Sequence, residues 1–134
     1  WAFKDPRTLL TLEGWLDARP DLSLCGIFRD PLAVAHSLKR RNGFPLTKGL
    51  YLWQVYNERL LHFATTRACP LIEFSTQPGE MTGRLEKLVT ALGLTPPPAP
   101  EFFDAGIPKG TDDKSAPPAE IAELYDQLKG LALG

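Results

Sequence analysis

Hydrophobic residues in this chain follow two patterns: short apolar runs, and longer stretches in which apolar positions recur every three or four residues. Residues 22–28 and 71–74 are short, mostly apolar and bounded by turn-forming residues. This pattern is typical of strands buried in a parallel sheet. Residues 1–4 are also short and aromatic, and they are predicted to be the end of a further strand.

Helical periodicity occurs between and after these runs. Asp5-Pro6 and Asp30-Pro31 open two of the helical stretches, and Gly93 closes a third. Residues 95–100 contain four prolines and are predicted to be extended, whereas residues 101–116 are predicted to be irregular. Helices are predicted over residues 5–19, 30–41, 47–67, 80–92 and 119–131.

Strands that alternate with helices of this length predict an α/β fold, in which helices flank a parallel sheet. The 134 residues are interpreted as a single domain. Residues 1–94 would form its α/β portion, residues 95–116 a segment rich in proline and glycine, and residues 117–134 a C-terminal helix. Parallel sheets bind ligands outside the carboxyl ends of their strands, which directs attention to the strand-to-helix junctions.

The charge balance and the apolar pattern exclude several classes of function. Lysine and arginine number 15 against 16 aspartates and glutamates, and this net charge of −1 does not support a broad surface for nucleic acid. No apolar run approaches the roughly 18 residues that cross a bilayer, and no leader pattern is present. We therefore expect no nucleic-acid partner, no membrane span and a cytoplasmic location. The first residue is Trp1 rather than methionine, and further sequence is expected upstream.

The two cysteines are far apart in the sequence. Cys25 and Cys69 lack CxxC spacing. They are therefore expected to be buried thiols rather than a disulfide framework or a metal site.

Residues 3–6 and 28–31 share one pattern: aromatic, basic, Asp, Pro. The Asp can cap a helix, and the Pro fits the first helical position. A Lys4 or Arg29 at this point adds positive charge to a helix end that is already partly positive, which is unfavourable unless an anion is bound. Arg29 also offers a planar fork of donors that suits phosphate oxygens. Pairing of Arg29 with a nearby carboxylate is the structural alternative.

The helix that follows Arg29 carries Ser37, Arg40 and Arg41 on one face. The Ser37 hydroxyl is placed to donate to the anion that Arg29 would hold. Arg40 and Arg41 are interpreted as a solvated last turn, where cations suit the helix dipole.

Residues 28–37 (FRDPLAVAHS) resemble the 3′-phosphate-binding motif of sulfotransferases that use 3′-phosphoadenosine 5′-phosphosulfate (PAPS). In that family an Arg ends a strand and a Ser follows eight positions later on the next helix, the spacing of Arg29 and Ser37. Residues 1–7 (WAFKDPR) resemble the KDPR segment of the bacterial and carbohydrate-type members, and residues 52–57 (LWQVYN) resemble their Trp-containing helix. The resemblance implies a P-loop NTPase-like sulfotransferase fold, incomplete at the N-terminus and helix-rich in its C-terminal part.

The resemblance also implies roles for individual residues. Arg29 and Ser37 would hold the 3′-phosphate of PAPS, and Phe74, at the position of the family's Tyr-Glu-Asp tyrosine, would lie near the adenine. Lys109, in Pro108-Lys109-Gly110, would be a remnant of the family's Arg-Lys-Gly segment, which also binds the 3′-phosphate. No metal is implied.

The catalytic step, transfer of SO₃ to a hydroxyl or amine, needs positive charge at the transferring group and a base for the acceptor proton. Lys4 is expected to supply the charge and Asp5 to act as the base, unless the base lies upstream. Arg7 would hold an anionic acceptor or pair with an acidic residue. His36 and His62 are expected to have packing or surface roles.

The family's loop for the 5′-phosphosulfate is expected upstream of Trp1, and residues 1–134 alone are expected to be inactive. The acceptor would be a small molecule or a carbohydrate. The sequence leaves two alternatives open: a non-catalytic remnant that serves as a helical binding or dimerisation module, and a nucleotide kinase. The oligomeric state is also left open.

Overall fold

A computed structural model describes residue 2 and residues 4–96 and 112–134 of the chain. The described part begins with a 3₁₀ helix, Pro6–Leu10, and then alternates short strands with longer helices. Its elements are α1 (Leu12–Ala18), β1 (Gly26–Phe28), α2 (Pro31–Asn42), α3 (Leu46–Thr66), β2 (Leu71–Glu73), α4 (Pro78–Ala91) and α5 (Ala119–Leu131).

Strands β1 and β2 pair in parallel, with Gly26 opposite Leu71 and Phe28 opposite Glu73. On the other edge of β2, Ala132 forms a bridge with Leu71, and the Leu133 N–H donates to the Leu71 carbonyl at 2.8 Å. The expected mixed α/β architecture with a parallel sheet is therefore confirmed. The sheet is small, and the contact made by Ala132 and Leu133 was not foreseen.

Strand β1 is shorter than the predicted run of residues 22–28. The Gly26 N–H donates to the Pro70 carbonyl at 3.0 Å, and in a parallel ladder the next bond would come from the N–H of residue 70. Pro70 has no N–H, so the ladder stops there. Leu22 and Leu24 instead pack against apolar clusters as partly buried side chains.

Helices cover both faces of the sheet. Leu71 belongs to the main core cluster with residues of α3 and α5, whereas the neighbouring Ile72 packs against Met81 and Leu88 of α4. Successive strand residues point to opposite faces, which explains this division. The main cluster comprises Phe28, Trp53, Leu60, Cys69, Leu71, Ile121, Leu124 and Leu128.

Most helices agree with the sequence because their ends are set by local chemistry. Asp30 caps α2, and Gly43 ends it with a φ of 70°, a left-handed conformation that glycine adopts without strain. Helix α3 is shifted by one residue from its predicted bounds, α4 begins two residues early, and α5 matches. The first predicted helix is divided at Thr11 into the 3₁₀ helix and α1.

The predictions for the N-terminal strand, the linker and the two cysteines are not all confirmed. Ala2 and Lys4 are not in a strand, and Trp1, Phe3 and residues 97–111 lie outside the described part. Cys25 and Cys69 are free thiols. Cys69 is buried, which raises its thiol pKa to about 11. The expectation of burial is wrong for Cys25, which is exposed and lies two residues before the exposed Ile27 on the same side of the chain.

Across the described ranges, no helix combines the length and apolar character needed to cross a membrane.

Candidate functional site

The carboxyl ends of β1 and β2 meet at one edge of the sheet. Arg29 and Asp30 follow β1, and Phe74 and Ser75 follow β2; we call these four residues the strand-end junction. The Phe74 N–H donates to the Phe28 carbonyl at 2.7 Å, which extends the pairing by one residue and brings the two chain segments together. As a result, the Arg29 guanidinium carbon lies 4.8 Å from the centre of the Phe74 ring.

Asp30 has the structural role that its sequence context predicts. Its Oδ1 accepts a hydrogen bond from the Ala33 N–H at 2.7 Å, and Pro31 occupies the first turn of α2. This carboxylate therefore caps the helix and is not paired with the adjacent Arg29 side chain.

The main chain of Arg29 is held by a buried aromatic side chain. Trp53, which is 3% exposed, donates from Nε1 to the Arg29 carbonyl at 2.8 Å. The Arg29 side chain is half-buried, and none of the ion pairs formed by the described residues includes it. The carboxylate pairing considered from the sequence is therefore not found in this part of the chain.

The strand-end junction contains two charged side chains of opposite sign, Arg29 and Asp30. Burial and then the charge of Arg40 lower the pKa of Arg29, with Asp30 acting in the opposite direction. An arginine stays protonated at neutral pH, so Arg29, just before α2, and Arg40, in the last turn of α2, are two cations that repel each other. A bound anion would relieve this repulsion.

Ser37 and Arg40 lie three residues apart on α2 and therefore share a face of the helix. Ser37 is half-buried, and its hydroxyl has no hydrogen-bond partner in the described part of the chain. Arg40 is exposed in the last turn of α2, as the sequence predicts, and its charge also lowers the pKa of Arg29.

Lys4, Asp5 and Arg7 form a separate group beside the 3₁₀ helix. Asp5 accepts from the Arg7 backbone N–H at 2.9 Å and pairs with Arg7 Nη2 at 2.6 Å. Hydrogen bonds from Arg7 lower the pKa of Asp5 to about 2, and a carboxylate this weakly basic is a poor proton acceptor at neutral pH. Lys4 is exposed, and no described hydrogen bond or ion pair joins this group to Arg29.

The sequence did not indicate a polar network that joins β2 to α4 and α5. Arg84 donates to the Glu73 carbonyl at 2.6 Å and pairs with Glu80 at 2.6 Å, while Ser75 Oγ donates to Glu80 at 2.5 Å. The Tyr125 hydroxyl donates to the Glu73 carboxylate, and burial together with Glu73 raises the Tyr125 pKa. These contacts tie α4 and α5 to the strand end that carries Phe74.

Other candidate groups lie away from the strand-end junction or outside the described residues. His36 contacts Asp113 at 2.7 Å, and His62 is exposed on α3. An open groove of about 580 Å³ between α3 and α5 includes His62 and Leu131 but no residue of the junction. Lys109 lies outside the described residues. In the described ranges, no group of three or more His, Cys, Asp or Glu side chains is arranged to hold a metal ion.

No protein-family model matches the chain, and searches of curated proteins and of solved structures also find no match.

Proposed function

We propose that this chain carries the 3′-phosphate site of a PAPS-dependent sulfotransferase, an enzyme that transfers a sulfuryl group to a hydroxyl or amine. The observation that supports this most directly is the placement of Arg29. Its half-buried guanidinium stands at the end of a parallel strand and at the start of a capped helix, with no carboxylate partner among the described residues.

A phosphate group fits this arrangement on physical grounds. A helix N-terminus attracts anions, and the guanidinium fork matches two phosphate oxygens. Arg40 adds a second positive charge, and Ser37 offers a hydroxyl donor on the same face of α2. Two cations suit a phosphate monoester, whose charge near pH 7 lies between −1.5 and −2, better than they suit a carboxylate.

The remaining parts of the proposal rest on the resemblance. The fold would be a P-loop NTPase-like sulfotransferase fold, the donor PAPS, and the acceptor a small molecule or a carbohydrate. Lys4 would place positive charge on the transferring group. Asp5 is a poor candidate for the base, because Arg7 lowers the pKa of Asp5 to about 2.

The central experiment is titration calorimetry with 3′-phosphoadenosine 5′-phosphate. Arg29→Ala and Ser37→Ala should each raise the dissociation constant about tenfold or more, because each removes a hydrogen bond to a charged group. His62→Ala is the matched control, because His62 is exposed on α3 and lies away from the strand-end junction. Equal binding by all three variants and the wild type would rule out the proposal.

Competing nucleotides separate the donor classes. Adenosine 5′-monophosphate lacks the 3′-phosphate and should bind at least about tenfold more weakly than 3′-phosphoadenosine 5′-phosphate. ATP should not displace 3′-phosphoadenosine 5′-phosphate at comparable concentration. Preference for ATP would instead favour the nucleotide kinase.

The ion pair between Asp5 and Arg7 favours a second candidate function, a non-catalytic module that retains nucleotide binding. The distinguishing measurement is sulfuryl release from PAPS. Binding of 3′-phosphoadenosine 5′-phosphate by a protein that includes the upstream donor loop, without turnover of PAPS on any tested acceptor, would favour this module over the enzyme.

A further inference from the structure

The Phe74 ring faces a cation rather than an open pocket. The Arg29 guanidinium carbon lies over the ring, 4.8 Å from its centre. This distance is within the range of a cation–π contact. The ring face that Arg29 covers is not accessible to a nucleobase, although the resemblance would put Phe74 near the adenine.

The backbones of both residues are fixed by separate hydrogen bonds. Trp53 donates to the Arg29 carbonyl at 2.8 Å, and the Phe74 N–H donates to the Phe28 carbonyl at 2.7 Å. Arg84 donates to the Glu73 carbonyl, immediately before Phe74, at 2.6 Å. These hydrogen bonds hold the two backbone segments from which the ring and the guanidinium extend.

The Phe74 ring is the contact that orients the Arg29 side chain within the described residues. That side chain makes no ion pair there. A guanidinium held over a ring keeps its N–H donors, which lie in its own plane, available at its edge. An anion approaching α2 would meet donors that are already oriented, and less conformational entropy would be lost on binding.

We infer that Phe74 is a positioning residue, whose ring holds the Arg29 guanidinium so that its donors face the 3′-phosphate. This inference rests on the proposed function for the identity of the anion. It assigns to Phe74 an action through Arg29 instead of a contact with the adenine.

The first test compares two nucleotides on Phe74→Leu, which keeps an apolar side chain and removes the π face. The dissociation constant for 3′-phosphoadenosine 5′-phosphate should rise about three- to thirtyfold, the range that a cation–π contact supports. The dissociation constant for adenosine 5′-monophosphate should stay within about twofold of the wild-type value, since this nucleotide lacks the 3′-phosphate. Phe74→Tyr, which restores the π face, should recover most of the affinity. Equal losses for both nucleotides would overturn the inference in favour of a contact with the nucleoside.

A double-mutant cycle tests whether Phe74 acts through Arg29. In an Arg29→Ala background, Phe74→Leu should cause no further loss of affinity for 3′-phosphoadenosine 5′-phosphate, because the guanidinium it positions is gone. Losses that multiply independently would show that Phe74 acts by another route, and would overturn the inference.

A readout without ligand separates this inference from the proposed function. The ring should shift the NMR signals of the Arg29 side chain upfield, and Phe74→Leu should remove that shift while the backbone spectrum remains that of a folded protein. If the wild type does not bind 3′-phosphoadenosine 5′-phosphate, the proposed function fails. The upfield shift of the Arg29 side-chain signals then tests the positioning role of Phe74 on its own. Its presence supports the contact between ring and guanidinium, and its absence overturns the inference.

Discussion

At the scale of single residues, Trp53 holds the backbone of the strand-end junction through a hydrogen bond. Its indole N–H reaches the Arg29 carbonyl at 2.8 Å, and its ring meets the Tyr125 ring edge-on at 6.0 Å between centres. Tyr125 in turn packs edge-on against Phe28, the last residue of β1. One buried side chain thus links helix α3, helix α5 and the end of the first strand.

Replacing this indole tests the link. Trp53→Phe removes the N–H and leaves the half-buried Arg29 carbonyl without its donor. We expect a loss of about 1–3 kcal/mol in the free energy of unfolding from the unpaired carbonyl alone, measured by urea denaturation.

The matched control is Tyr51→Phe on the same helix. Tyr51 is 64% exposed, so this change should alter the free energy of unfolding by no more than about 0.5 kcal/mol. A similar small effect for Trp53→Phe would show that the hydrogen bond to Arg29 contributes little.

How far single residues can be predicted from sequence depends on the range of their contacts. The cap at Asp30 and the position of Arg29 were predictable, because each follows from four adjacent residues. The contact between Tyr125 and Glu73 joins residues 52 positions apart and depends on how α5 packs on the sheet. No local pattern indicates such a pair.

At the scale of elements, helices α2 and α3 cross at a very short distance. A Cβ added at Gly49 would lie 2.8 Å from the Ala35 Cα, closer than two such atoms approach in folded proteins. The absence of a side chain at Gly49 therefore sets the separation of the two helices. This separation in turn sets how the face of α2 that carries Ser37 lies against the rest of the domain.

Gly49→Ala should destabilise the protein even though alanine favours helices. The added methyl group meets backbone atoms that cannot move independently, and overpacking of this kind costs about 1–3 kcal/mol. The measurement is the free energy of unfolding from chemical denaturation.

Gly83→Ala in helix α4 supplies the comparison. A Cβ at Gly83 has no neighbouring atom within 4 Å, so this change should leave stability unchanged or raise it by up to about 1 kcal/mol. If both variants gained stability, the helices would have room to separate at Gly49.

The elements differ in how well the sequence determines them. Helix α2 could be placed to within a residue, because Asp30 and Gly43 mark its two ends. The length of strand β1 could not be predicted, because it is limited by Pro70, the residue just before β2, and residues 22–28 carry no sign of that partner.

At the scale of the whole molecule, the C-terminal part is tied to the α/β portion by contacts from distant positions. Tyr125 donates a hydrogen bond to Glu73, the last residue of β2, and Asp113 contacts His36 on α2 at 2.7 Å. Asp113 also accepts from the Ser115 N–H at 2.9 Å. Residues 112–134 therefore pack against the α/β portion.

The contacts of Asp113 should make the stability of the protein depend on pH in the acidic range. Hydrogen bonds from Ser115 and then His36 lower the Asp113 pKa from 3.8 to about 2. Because the folded-state pKa is the lower one, the stabilisation is fully present above about pH 4. It is lost as the pH falls toward 2. Asp113→Asn should therefore lower the urea midpoint at pH 5 and lower it by less at pH 2.

Asp112→Asn controls for the charge alone, since Asp112 is the exposed neighbour. It should change the midpoint little at either pH. A difference between wild type and Asp113→Asn that stayed constant from pH 5 to pH 2 would contradict the assignment of this effect to Asp113 ionisation.

The buried indole beneath Arg29 has a further consequence, which is optical. An indole removed from water emits at shorter wavelengths than an exposed one, and Trp53 is 3% exposed whereas Trp15 is 41% exposed. With Trp1 and Trp15 replaced by phenylalanine, the remaining emission would come from a chromophore hydrogen-bonded to the Arg29 carbonyl. If the proposed anion binds at that arginine, it would change the electric field on the ring, and the Trp53 emission would then report the occupancy of the site.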